Sequence, residues 1–157
     1  MLRCASNGFV HLIIQKFTIG DEMKKIVVID GQGGKIGSLL VGRLKAEADP
    51  HEIYAIGTNS IATAAMMKAG ANFGATGENP AIVNCRNANI IVGPIGIVIA
   101  DSLIGEITPA MAIAIGQSSA QKVLLPVSRC NNYIVGTPEL PISELIDAAI
   151  KHILAVL

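Results

Sequence analysis

The residues with most chemical potential in this chain run Asp30-Gly31-Gln32-Gly33-Gly34-Lys35-Ile36-Gly37. Glycines between a strand and a helix let the backbone approach a ligand closely, and the first N–H groups of the helix then face an anion. The spacing departs from G-x-G-x-x-G. Placing Gly34 and Gly37 on the second and third glycines puts Gln32 where the first belongs, whereas starting from Gly31 puts Ile36 at the third. A phosphate cradle is the reading that the context supports. The competing one is a tight turn that packs the first helix against the sheet.

A dinucleotide site needs a further group, a carboxylate near the end of the second strand, roughly 20 residues past the glycines, to take the ribose hydroxyls. That place reads Gly57-Thr58-Asn59-Ser60 and carries no acid, which argues against NAD. Hydroxyl and amide side chains at a helix start could receive a 2′-phosphate instead. NADP or a phosphorylated mononucleotide therefore fits slightly better, although no arginine lies nearby and a plain helix cap is an equal alternative.

In open parallel sheets, ligands sit beyond the carboxyl ends of the strands. The loops expected there are the glycine loop, Thr58-Asn59-Ser60, Gly93-Pro94-Ile95-Gly96 and Ser128-Arg129-Cys130-Asn131-Asn132. The candidate ligand-binding residues are accordingly Gly31 to Gly37, Thr58, Asn59, Ser60, Gly93, Pro94, Arg129 and Asn131. Arg129 is the best cation, because its planar fork matches phosphate or carboxylate, with a surface salt bridge as its plain alternative. Cys130 lies on the same edge, but His51 falls on the opposite one, so a buried inert thiol is the better reading than a nucleophile. Asp30, Glu78, Asp101 and Glu106 are scattered acids that could act as a general base or pair with Lys35. Caps or solvated charges are their commoner roles.

The elements that must position these residues alternate as β-α-β units. Expected strands are Lys25 to Asp30, Glu52 to Ile56, Asn89 to Val92 (stopped by Gly93-Pro94), Lys122 to Pro126 and Tyr133 to Val135. Expected helices run from Ile36 to Glu47, from Asn59 or Ser60 to Lys68, from an Asn79 cap with Pro80 to about Arg86, through Ile97 to Leu103, from a Thr108 cap with Pro109 to Ile115, and from Ser143 to Leu154. Ala71 to Asn79 reads as glycine-rich loop. The fold expected is a Rossmann-like three-layer α/β sandwich with a mostly parallel sheet of about five strands.

Composition bounds the rest. The chain has 157 residues, 51% apolar and 15% charged, the latter well below the usual quarter, with 3% aromatic, so Ile, Val, Leu and Ala must build one core. Twelve basic and twelve acidic residues cancel, and no basic footprint for nucleic acid is present. A weakly charged, apolar chain favours a homo-oligomer. Cys4, Cys85 and Cys130 have neither disulfide nor metal spacing, which suits the cytoplasm. The apolar run Ile90 to Ala100 is about half the ~20 residues that a spanning helix needs, so no membrane partner is expected. Residues 1–22 read as a leader, with Met23 as the natural start and residues 23–157 as the single domain.

The strings IDGQGGKIG, AIGTNSIAT, AGANFGATGEN, VGPIGIVIADSLIGEITPAMA and LPVSRCNN together resemble a bacterial domain-of-unknown-function family, number 3842, from about Met23 to Ile153. Lys35 stands where that family's loop has a glycine, so the G-x-x-x-G-x-G of short-chain dehydrogenases is not met. The lysine could itself meet a phosphate. The resemblance implies a Rossmann-like fold and carries no activity, substrate or catalytic residue to this chain. Three functions follow: a module binding a nucleotide or phosphorylated small molecule at the glycine loop, an NADP-linked oxidoreductase with an active site shared between subunits, or a structural oligomer subunit without ligand.

Overall fold

A computed structural model describes residues 22–127 and 132–157. The expected leader, apart from Glu22, lies outside the described residues, as do Arg129, Cys130 and Asn131. The chain forms β1 (Lys25–Asp30), α1 (Lys35–Glu47), β2 (Glu52–Gly57), α2 (Ser60–Lys68), β3 (Phe73–Thr76), α3 (Glu78–Cys85) and β4 (Ile90–Pro94). A 3-10 turn (Ile95–Val98) and a short turn (Ser102–Gly105) lead to α4 (Pro109–Gln117), β5 (Gln121–Leu125) and α5 (Ile142–Val156). All strand pairs are parallel, in the order β3-β2-β1-β4-β5. This is the α/β, Rossmann-like sandwich that the alternating pattern predicts.

Two apolar layers cover the sheet because each central strand is apolar on both faces. Ile26 and Val28 of β1 point to Leu40, Val41 and Leu44 of α1 and to Ile146, Ile150 and Ile153 of α5. Val27 and Ile29 point the other way, to Ala81 and Cys85 of α3 and to Met111 and Ile115 of α4. Four consecutive residues, Ile26 to Ile29, are fully buried, which fixes β1 as the centre of the sheet. Asn59 caps α2 through an Ala62 amide at 2.9 Å, and Thr108 caps α4 through the Met111 amide, as their side chains predict.

Five expectations about the elements are corrected. The supposed loop from Ala71 to Asn79 contains β3, an edge strand pairing only with β2. Gly74 lies within it under the Met67 side chain, whose sulfur would stand 2.5 Å from a Cβ at this position. Tyr133 to Val135 is not a strand. Tyr133 and Val135 are exposed and pair with no strand among the described residues, so their β propensity goes unused. Gly93-Pro94 does not stop β4, because β4 leaves β1 after Val92 and continues beside β5, where Gly93 pairs with Leu124 and Pro94 with Leu125. Finally, Ile97 to Leu103 is not one helix, and α3 begins behind Gly77 rather than at an Asn79 cap. Pro80 then sits in the first turn of α3, where a missing N–H does no harm.

Candidate functional site at the sheet switch point

The strand order reverses at β1: the chain steps outward to β2 and β3, then returns to β4 on the other side. Between such divergent strands, the helices leave in opposite directions and open a crevice at the carboxyl edge. A cavity of about 180 Å³ lies there. Its floor is the glycine loop from Asp30 to Ile36, and Pro94, Ile95 and Gly96 after β4 form one wall. Leu103, Val127, Asn132 and Ile142 complete it. Of the expected site residues, Gly31 to Ile36 and Pro94 meet here. Gly93 is buried against Ile29 just behind, and Ser60 opens α2 outside the cavity lining.

The glycines divide their work. Gly34 has φ +67°, and a Cβ there would lie 2.7 Å from the Ala62 Cα, so this position lets α1 approach the backbone of α2. Gly37 is similarly closed, with the Met66 sulfur at 2.5 Å from a Cβ. These two glycines serve packing, as the tight-turn reading holds. Gly33 differs. It is exposed, has no atom within 4 Å of a Cβ and borders the cavity. Gln32, at the apex of the loop, holds φ +49°.

The loop amides are shared between protein carboxylates and open space. The Gly31 amide donates to Asp30 Oδ1 at 2.8 Å, and the Gly37 amide to Asp30 Oδ2 at 2.6 Å. Burial pushes the Asp30 carboxyl above its usual range, with these amides and that of Ile36 opposing the rise and the Glu106 charge adding to it. The Gly34 amide closes the turn onto the Gly31 carbonyl, 2.9 Å away. The amides of Gly33 and Lys35 have no protein acceptor among the described residues, and the exposed Lys35 ammonium has no acidic partner among them either. None of the acids considered as its partner reaches it.

Glu106 is the residue that sequence reasoning undervalued. It follows the turn after β4, yet its Oε2 accepts the Gln32 amide at 2.7 Å, the Thr58 hydroxyl and, at 3.3 Å, the Asn59 amide group. Thr58 and Asn59 therefore do not face open space as phosphate donors but hold a carboxylate. Partial burial pushes that carboxyl up, but the bonds from Thr58, Gln32 and Asn59 together outweigh it and hold it below the usual range. Gly31 has a matching reason to be glycine, since a Cβ there would lie 2.5 Å from Glu106 Oε2. One signal could have found Glu106: the whole connection from β4 to α4 starts at the carboxyl edge, not only its first residues.

The turn that delivers Glu106 is strained. Asp101, Leu103 and Ile104 have φ of +61°, +55° and +59°, a region that side chains rarely adopt, and Ile104 is 94% exposed. Ser102 holds the inner side through a buried hydroxyl bond to the Gly96 carbonyl, so the turn is tied to the cavity wall.

Comparison with known proteins decides the family. A domain-of-unknown-function model, DUF3842, matches residues 25–157. The chain belongs to the DUF3842 family. This agrees with the resemblance seen in its sequence strings, and the fold above is that of this DUF3842 domain. No curated protein and no solved structure matches the chain. Among its described residues, no helix is long and apolar enough to cross a membrane.

Proposed function

We propose that this DUF3842 protein binds a nucleotide or phosphorylated small molecule in the crevice between the ends of β1 and β4. The observation that carries the reading is the cavity at the strand-order switch point, floored by a loop in which the Gly33 and Lys35 amides have no protein acceptor, and the Lys35 ammonium no acidic partner, among the described residues. An anion seated on Gly33 would meet those N–H groups at the start of a 13-residue helix. Asp30 and Glu106 have taken the neighbouring amides, so the cradle suits one phosphate group rather than a broad anionic surface.

A thermal-shift panel of NAD, NADP, ATP, AMP, coenzyme A and phosphosugars tests this. A ligand at ~100 times its Kd stabilises by ~2.7 kcal/mol, which raises Tm by roughly 5–10 °C for a chain of this size. No shift from any compound refutes the reading and leaves a structural role. We place the protein in the cytoplasm as a homo-oligomer. Ile61 and Met67 on α2 and Phe73 on β3 expose apolar side chains, which supports self-association. Sedimentation equilibrium of the full chain giving a monomer mass would refute that part.

A further inference from the structure

We infer that Glu106 is the acceptor for the vicinal hydroxyls of a ribose, which makes the site selective for nucleotides with a free 2′,3′-diol over those carrying a 2′-phosphate. The inference rests on the nucleotide reading above and names its ligand class.

Its basis is the place of the carboxylate. β1 and β2 run in register to their ends, with Asp30 beside Gly57, and the Thr58 amide donates to the Asp30 carbonyl at 3.0 Å. Thr58 and Asn59 therefore stand beside the glycine loop on the side away from the cavity. A nucleotide whose phosphate rests at Gly33 extends its sugar toward one of these two sides. On the β2 side it meets Glu106, while the phosphate stays at the rim of the cavity, which Gly33 lines. An acid at this position usually belongs to β2 itself. Here β2 ends without one, and the β4 connection supplies it from across the loop.

The seating of Glu106 is that of an aimed acceptor. Three donors from two loops converge on Oε2, whereas among the described residues Oε1 receives only the Asn59 amide group, at 3.3 Å. A carboxylate has about four acceptor positions, so Oε1 retains capacity while Oε2 fixes its direction. Glu106 itself is only partly buried. A pair of adjacent hydroxyls can donate to it without displacing the Thr58 bond. A 2′-phosphate would bring like charge against it. This reverses the preference for NADP drawn from the missing acid, because the acid is present in space though not in the local sequence.

The test compares matched probes by isothermal titration: NAD against NADP, and AMP against 2′-deoxy-AMP, with full-length wild-type protein, Glu106→Gln and Glu106→Asp. A charge-assisted bond between hydroxyl and carboxylate predicts that wild type prefers NAD and AMP over their partners by about 10- to 100-fold. In Glu106→Gln the NAD to NADP ratio should collapse toward unity, chiefly through tighter NADP binding. A general loss of folding would weaken all probes alike. Wild-type protein that binds nucleotides without this discrimination, or discrimination that survives in Glu106→Gln, overturns the diol role and leaves the crevice reading intact. If phosphosugars bind and no nucleotide does, the diol role falls as well while the crevice stands. Absence of binding by any phosphorylated probe overturns both. Should Glu106→Gln not fold, the wild-type ratios alone decide, with Glu106→Asp expected to retain the sign of the preference.

Discussion

Alanine at two adjacent glycines separates the packing role of the loop from its ligand role. At Gly34 the methyl group meets two penalties. Holding a non-glycine residue at φ +67° costs about 1–2 kcal/mol. Overlap with the Ala62 Cα at 2.7 Å and carbonyl oxygen at 2.9 Å is with backbone that no rotamer change can move, and overpacking of this kind costs roughly 1–3 kcal/mol. Gly34→Ala is therefore expected to lose about 2–5 kcal/mol, a large share of the ~5–15 kcal/mol that a domain has. At Gly33 a Cβ meets nothing within 4 Å, so Gly33→Ala should stay within about 0.5 kcal/mol of wild type. The same methyl group stands at the cavity mouth and should abolish the ligand-induced Tm shift. Urea denaturation followed by circular dichroism gives both stabilities, and thermal shift with the best ligand gives the second readout. A Gly34→Ala loss below about 1 kcal/mol, or a Gly33→Ala protein as unstable as Gly34→Ala, would refute this division of labour.

Asp30→Ala removes the buried acceptor of the Gly31 and Gly37 amides and should destabilise the fold by about 1–3 kcal/mol in urea, after allowing for relief of a buried charge; an unchanged midpoint would show that those amides find water. Glu106 has a lowered carboxyl pKa, so its contribution is full above the usual carboxylate range and is lost as pH falls through the folded value. The Tm of wild type and Glu106→Gln should therefore converge on acidification and separate toward neutral pH, and a constant difference would contradict the assigned bonds. Asp30, whose pKa is raised, acts in the opposite sense: its contribution is full below the usual value and declines as pH rises through the folded one. Burial pushes the Cys85 thiol to about 11, so peptide mapping after iodoacetamide at neutral pH should find Cys85 unlabelled in folded protein and labelled in urea.

How much of this could be read from the sequence depends on whether the signal was local. β1, α1, β2, α2 and α5 follow from runs and periodicities within a few residues, and their bounds agree with expectation to within two positions. The caps at Asn59 and Thr108 are equally local. β3 is hidden because Gly74 opposes strand formation by propensity, and the Met67 side chain packs over it only in the folded structure. Tyr133 to Val135 misleads for the converse reason, having strand residues with no strand to pair with among the described residues. The glycine loop was legible as a loop, whereas the roles of its glycines were not. Gly31, Gly34 and Gly37 answer to Glu106, Ala62 and Met66, all remote in sequence. Glu106 itself is a contact of non-local origin, and no spacing rule connects it with Thr58.

The left-handed backbone at Asp101, Leu103 and Ile104 ties durability to recognition. Ile104→Gly would relieve one such residue and, because the isoleucine side chain is almost wholly in solvent, would forfeit almost no burial. Such a variant should tolerate heat better. Yet that same stretch of main chain sets both the wall at Leu103 and the aim of Glu106, so a more relaxed protein would be a less discriminating one. Engineering for robustness would thus have to leave this short segment alone and look to the remainder of the domain.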